Sequence, residues 1–173
     1  MKEIEVKILN IKEKQIIKKL KKLGAKKVFE GKIIASYFDF EDKSLSKENK
    51  IIRLRTKGKL AELTFKKSIS KKEAKIAEEY NVITDDYKDM KKILNLLGLK
   101  EKIKQTKYRT SFTLDDVHFE LDKFDSIPIF LEVEAPNIEK LKEYIKKLGF
   151  SMKDTKPWTG KNVLDYYKSK LIK

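Results

Sequence analysis

The 173 residues are 40% apolar and 40% charged, with no cysteine and one histidine, His118. That excludes disulfides, thiolate metal sites and any imidazole metal site within one chain, so a bound metal has to be a hard cation on carboxylate oxygens, such as Mg²⁺, Mn²⁺ or Ca²⁺. The formal net charge of +15 fits a nucleic acid, a polyanionic ligand or simply a lysine-rich surface, and no apolar run approaches the roughly 20 residues of a membrane span.

Residues 2–9 alternate as a strand, with Glu3, Glu5 and Lys7 on one face and Ile4, Val6 and Ile8 on the other. Taken alone, that pattern fits a solvated strand face. Asn10 is the expected N-cap of a helix whose stripe Ile16, Ile17, Leu20 and Leu23 ends at Gly24. Residues 27–40 read as a strand ending in Tyr37-Phe38-Asp39, and residues 41–49 as a polar loop. A strand at 50–57 places Arg53 and Arg55 opposite Ile52 and Leu54. Lys57-Gly58-Lys59 turns into a strand at 60–67, where Leu63 and Phe65 oppose Glu62, Thr64 and Lys66. The polar stretch 68–74 leads into a strand at about 75–83.

Thr84-Asp85-Asp86 predicts a cap for a helix carrying Met90, Ile93, Leu94 and Leu97, stopped by Gly98. Residues 101–114 form a long strand with Lys107 and Arg109 on one face. After a tight turn at Asp115-Asp116, residues 117–124 place Glu120 and Asp122 opposite Phe119 and Leu121. In the strand at 129–135, Glu132 and Glu134 oppose Leu131 and Val133. Pro136-Asn137 opens a helix (Ile138, Leu141, Ile145, Leu148) ended by Gly149, and residues 161–171 form a short C-terminal helix. Residues 3–24 and 132–149 echo each other, each running from an acid pair through Asn-Ile and a lysine-rich helix to Leu-Gly. That echo suggests two strand–helix units related by a pseudo-twofold.

Six strands carry charges on one face, at i and i+2 or i+4, with apolar residues on the other. Three amphipathic helices need apolar surface to cover, and the apolar strand faces supply it. The sheet is therefore expected to close into a barrel with a charged, wet interior and helices outside, an α+β fold in one domain over residues 1–173. Unpaired buried charge costs several kcal/mol, so acids and bases lining one cavity have to pair or bind ions. Of the 42 basic residues only Arg53, Arg55 and Arg109 are arginine. The planar guanidinium binds phosphate through two donors at once, which lysine cannot copy. Carboxylate pairs together with arginine and lysine pairs describe a site for a metal-bound polyphosphate. His118, beside the hairpin turn, reads as a surface residue, and Phe150, Trp158 and Tyr166 as packing residues.

The chain also resembles the CYTH or triphosphate tunnel metalloenzyme family, which includes class IV adenylyl cyclases, thiamine triphosphatases and inorganic tripolyphosphatases. The resemblance rests on Glu3-x-Glu5-x-Lys7, Tyr37-Phe38-Asp39, Arg53-x-Arg55, Leu63-Thr64-Phe65-Lys66 and Leu131-Glu132-Val133-Glu134, in that order, over roughly residues 2–135. It implies an eight-stranded antiparallel β tunnel binding a triphosphate with Mg²⁺ or Mn²⁺. By position, Glu3, Glu5, Asp122, Glu132 and Glu134 resemble the metal-side acids. Lys7, Arg53, Arg55, Lys66, Lys107 and Arg109 resemble the phosphate-side bases, with Lys161 as a further base and Glu79 and Glu120 as supporting acids. Glu79 is expected to pair with a base rather than bind metal. Two departures stand out: Asn81 replaces the second acid of a mid-chain Glu-x-Glu, and Asn162-Val163 replaces a Ser-Tyr pair.

The reading that follows is a metal-dependent enzyme acting on a triphosphate such as ATP, tripolyphosphate or thiamine triphosphate. It converts ATP to cyclic AMP and pyrophosphate in the manner of a class IV adenylyl cyclase, or else hydrolyses a triphosphate. No residue stands out as a general base. The alternative from another class is a non-catalytic module for polyphosphate or RNA ends. RNA binding asks for a basic face interleaved with exposed aromatics, whereas the aromatics here fall mostly at apolar strand and helix positions, so nucleic acid is not the expected partner. The charged N-terminus lacks a signal h-region, which leads to the expectation of a soluble, cytoplasmic monomer or homodimer.

Overall fold

The structure is a computed structural model and describes residues 2–171. Nine strands and five helices follow in the order β1 (Lys2–Ile8), α1 (Glu13–Lys22), β2 (Lys26–Asp39), α2 (Ser44–Lys47), β3 (Lys50–Lys57), β4 (Leu60–Ser70), β5 (Lys75–Thr84), α3 (Tyr87–Leu96), β6 (Lys100–Leu114), β7 (Val117–Phe124), β8 (Ile127–Ala135), α4 (Ile138–Lys147), β9 (Thr155–Lys156) and α5 (Gly160–Leu171). A single 3₁₀ turn, Met152–Asp154, precedes β9. The strands lie in one sheet, ordered β5-β4-β3-β2-β6-β7-β8-β1-β9, and β5 also pairs with β1. That last pairing closes eight strands into an antiparallel barrel, and β9 is an extra strand on β1. Among the described residues no helix is long and apolar enough to cross a membrane.

The chain divides into two compact units. One is built mainly from Gly31–Ile69 and Ala77–Tyr108. Its core is Phe38, Leu54, Ala61, Leu94 and Leu99, closed by Leu45 of α2 and by Tyr87 and Met90 of α3. The polar stretch 41–49, expected to be a loop, contains α2. Asp39, at the end of β2, organises it by accepting hydrogen bonds from the backbone N–H of Phe40 at 2.8 Å and of Leu45 and Ser46 at 3.0 Å. Burial opposes the charge on its carboxyl, but a hydrogen bond from the Ser46 hydroxyl together with these three holds it below the usual range. Four residues of helix leave no periodic pattern to read, so this element was invisible to an argument from hydrophobic spacing.

The other unit comprises Glu3–Glu30, Ser70–Ile76 and the chain from Arg109 onward. Ile4, Val6 and Ile8 of β1 meet Phe119 and Leu121 of β7 and Leu131 and Val133 of β8. Ile16 and Leu20 of α1 and Leu141, Ile145 and Leu148 of α4 cover them. Burying each of these side chains contributes about 1.5–3 kcal/mol. A second cluster, Phe124, Ile127, Phe130, Val163 and Tyr167, seats α5.

The echoed strand–helix units are neighbours, because β1 pairs antiparallel with β8, with Val6 opposite Val133. The Lys19 ammonium of α1 donates to the Leu148 carbonyl at the end of α4 at 2.6 Å. Their helix starts differ. Asn137 caps α4 by accepting from the Lys140 N–H at 2.8 Å. Asn10 does not cap α1: it sits in the left-handed region at φ 54°, two residues before the true N-cap Lys12. Its side chain instead accepts from the Tyr167 hydroxyl at 2.6 Å, which ties down α5. The helix ends agree. Gly24 and Gly149 adopt positive φ, and the following N–H reaches back to the carbonyl five residues earlier (Ala25 to Leu20, Phe150 to Ile145). Gly98 ends α3 in the same way through Leu99 and Leu94.

Candidate functional site

Strand alternation puts the helix-covered apolar residues on one face and the charged residues on the other. In the unit that contains β3, β4 and most of β5, the opposite face carries a basic cluster. Across β3 and β4, Arg53 lies opposite Thr64, Arg55 opposite Glu62 and Ile51 opposite Lys66. One Glu62 oxygen takes both guanidinium groups, Arg55 at 2.6 Å and Arg53 at 3.5 Å. Burial disfavours the Glu62 charge, yet Arg55 and Arg53 together hold its carboxyl below the usual range. Arg53 also donates to the Thr64 hydroxyl at 3.1 Å, and Thr64 donates to Asn81 at 2.7 Å. The Asn81 amide donates to Glu79 at 2.7 Å, and Glu79 pairs with Lys66. The pairing expected for Glu79 is therefore the one observed. Asn81, the departure from an acid, works here as a neutral link between Thr64 and Glu79. Among the described residues the Arg53 Nε is buried without a hydrogen-bond acceptor.

The other unit carries an unbroken chain of eight charged residues. It runs from Glu3 to Lys75 (3.9 Å), Lys75 to Glu5 (2.9 Å), Glu5 to Lys7 (2.8 Å), Lys7 to Glu132 (2.5 Å) and Glu132 to Arg109 (3.7 Å). Arg109 then forks onto Asp122, with Nε at 2.5 Å and Nη2 at 2.6 Å, and also pairs with Glu120. Register builds the chain: Lys7 faces Glu132 across β1 and β8, Glu120 faces Glu132 across β7 and β8, and Glu134 sits opposite Glu5. Lys7 and Asp122 are each only 1% exposed. Burial opposes the charges on Lys7 and Arg109, but Glu132 and Glu5 around Lys7, and Asp122 above all around Arg109, hold both above their ordinary ranges.

The acids expected on the metal side are thus gathered in one unit, and Arg53, Arg55 and Lys66 in the other. Lys7 and Arg109, carried over as phosphate-side bases, sit among the carboxylates. Lys107 is half-buried on β6. Lys161 joins neither cluster. It is exposed on α5 and pairs with Asp165 at 2.5 Å. His118 is exposed, as expected of a residue beside the turn. Lys75 was not foreseen: it is one of many lysines, and its only sequence signal is the i, i+2 alternation with Ala77, Glu79 and Asn81 along β5.

Among the described residues no three carboxylates converge into a ready-made metal site. The donor chemistry nevertheless fits a hard divalent cation. The cluster gathers the carboxylates of Glu3, Glu5, Glu120, Asp122 and Glu132, and every acidic ligand atom is oxygen.

Among known proteins, the chain is 28% identical over 161 residues, 86% of this chain and 90% of the relative, to the Methanocaldococcus jannaschii protein named "Putative adenylate cyclase MJ0240". A solved structure named as a putative adenylate cyclase from Vibrio parahaemolyticus superposes with a TM-score of 0.81 at 18% identity, over 94% of this chain and 97% of that one. The structure of the "Putative adenylyl cyclase HpAC1" of Hippeastrum, described with a dominant triphosphatase activity, gives a TM-score of 0.63 at 11% identity, over 97% and 95% of the two chains. The family model described as the CYTH domain matches residues 1–157, and the chain belongs to the CYTH domain family.

Proposed function

We propose that the protein is a divalent-cation-dependent enzyme acting on a triphosphate, of the adenylyl cyclase type, converting ATP to cyclic AMP and pyrophosphate. The observation that carries this reading is the basic cluster. Two guanidinium groups share one carboxylate oxygen of Glu62, and among the described residues the Arg53 Nε has no acceptor. Phosphate oxygens complete such a set, and the forked geometry favours them over isolated anions. Family membership and the name of the archaeal relative point the same way.

Arg53 and Arg55 donate to phosphate oxygens, and Lys66, held by Glu79, adds a third positive charge. Glu3, Glu5, Asp122, Glu132 and Glu134 are the residues that would hold Mg²⁺ or Mn²⁺. When bound, such an ion neutralises charge on the transferring phosphoryl group and the leaving oxygen. Lys7 holds Glu5 and Glu132 in position, and Arg109 holds Asp122 and Glu132. In cyclisation the ribose 3′ oxygen bonds to the α-phosphorus while the bond to the β-phosphate oxygen breaks, and the hydroxyl proton leaves with pyrophosphate or solvent. In hydrolysis, the second reading, water attacks the terminal phosphorus and a diphosphate leaves. The triphosphatase activity of the Hippeastrum neighbour supports that reading.

Incubation with ATP, thiamine triphosphate and tripolyphosphate, each with Mg²⁺ and with Mn²⁺, separates the outcomes once the products are resolved. Cyclic AMP with pyrophosphate is the expected product from ATP, and chelation abolishes it. Orthophosphate release instead selects the hydrolase. No turnover of any of the three overturns the enzyme reading and leaves a binding module.

A further inference from the structure

We infer that Lys75 is a resident counter-cation for the Glu3/Glu5 carboxylate pair, one that a divalent ion has to displace in order to bind there. This rests on the reading of that pair as part of the metal site. The Lys75 ammonium is 2.9 Å from the nearer Glu5 oxygen and 3.9 Å from Glu3, and the residue is 6% exposed. The same Glu5 oxygen already accepts from Lys7 at 2.8 Å, so its lone pairs are committed to two ammonium groups. A divalent ion bound to that oxygen at about 2.0–2.6 Å needs one of them, and one bound to the carboxylate's other oxygen lies close to an ammonium that repels it.

Of the two lysines, Lys75 is the one able to leave. Lys7 is gripped from both sides by Glu5 and Glu132, and its backbone is paired with Glu132 of β8 and Lys156 of β9. Lys75 is the first residue of β5, directly after the irregular stretch 71–74. Among the described residues its ion-pair partners are Glu5 and Glu3 alone. Once a cation neutralises those partners, nothing else holds the ammonium, and its flexible four-carbon stem carries it out to solvent. The consequence is a threshold. Without metal the buried acids stay compensated and folded, and metal affinity is set by competition with an internal charge.

Mn²⁺ binding, measured by calorimetry on the substrate-free protein, tests this in wild type, Lys75→Met and Glu5→Gln. Lys75→Met is expected to bind Mn²⁺ about tenfold more tightly or better, because one charge-assisted hydrogen bond no longer has to break. The variant should also melt lower than wild type without Mn²⁺, with a wider gap between its metal-free and metal-loaded melting temperatures. A readout on the unaltered chain covers the case in which the variant does not fold. Acylation of Lys75 by acetic anhydride, mapped by mass spectrometry, should rise when Mn²⁺ is saturating, while Lys7 stays protected. If wild type binds Mn²⁺ and Glu5→Gln loses it, but Lys75→Met binds no more tightly or acylation of Lys75 does not change, the counter-cation role is overturned and the metal site stands. If neither wild type nor Lys75→Met binds Mn²⁺, or Glu5→Gln binds as well as wild type, both readings fall.

Discussion

A guanidinium and an ammonium carry the same charge but present different donors, and Arg53 turns on that difference. Its Nη2 is already engaged with Thr64 and Glu62, while its Nε is buried without an acceptor among the described residues. Lysine at this position keeps the charge and loses the fork. Arg53→Lys is therefore expected to lower kcat/KM about 10- to 100-fold, the equivalent of one hydrogen bond to a charged group, with a melting temperature within a few degrees of wild type. Steady-state kinetics beside a melting curve checks it, and full activity in the variant removes Arg53 from the phosphate site. The expectation that the arginines are functional rests on how rarely a chain with so many lysines uses arginine. Their division between the clusters was not legible in the sequence. Arg109 was grouped with Lys107 by their shared strand face, yet its guanidinium forks onto Asp122. Only the β6–β7 and β7–β8 pairings bring those groups together, and no periodicity along one strand encodes a neighbour on the next.

At the scale of elements, the hairpin turn between β6 and β7 is fastened to α4. The Tyr144 hydroxyl donates to Asp115 at 2.7 Å, while its ring meets Phe119 edge-on at 5.8 Å. The bond to Asp115, together with burial, pushes the Tyr144 phenol up to about 12. A raised folded-state value means that the contribution is fully present below the ordinary phenol value of about 10, and is lost as pH rises through about 12. Tyr144→Phe should cost about 1 kcal/mol at neutral pH and flatten the alkaline limb of the stability curve between those two values. Urea titrations at pH 8 and pH 11 measure both effects, and an unchanged alkaline limb counts against the assignment. The strands and the three longer amphipathic helices were readable from period-2 and period-3.6 patterns. The 3₁₀ turn, β9 and the four-residue α2 were not, since each is too short to carry a period. The cap misassigned to Asn10 has a similar origin. Asparagine favours both helix caps and the left-handed region, and the tie to Tyr167, at the far end of the sequence, decided between them.

For the molecule as a whole, the net charge of +15 and the basic cluster predict stabilisation by polyanions. Tripolyphosphate at a hundred times its dissociation constant should add about 2.7 kcal/mol to folding stability, several degrees in melting temperature for a chain of this size. Salt should weaken the effect, since screening reduces the attraction between exposed charges. Differential scanning fluorimetry with and without added salt measures it, and an unchanged melting temperature at millimolar tripolyphosphate argues against a phosphate site. The closed barrel was within reach of the sequence because six strands shared one design. The ring itself is made by β5 pairing with β1, two segments that lie far apart in the chain.

The placement of β1 has a consequence for synthesis on the ribosome. Its partners on β8 extend to Ala135, so β1 emerges well before that neighbour and waits for it until β8 has been made. Throughout that interval Ile4, Val6 and Ile8 have no β8 to cover, and an apolar strand with an open edge is an invitation to mispairing. The acids and lysine that alternate with them give the nascent segment a charged face during the same wait. Charge on a waiting edge is a recognised guard against aggregation, and here the guard consists of the residues that the folded protein assigns to its candidate site.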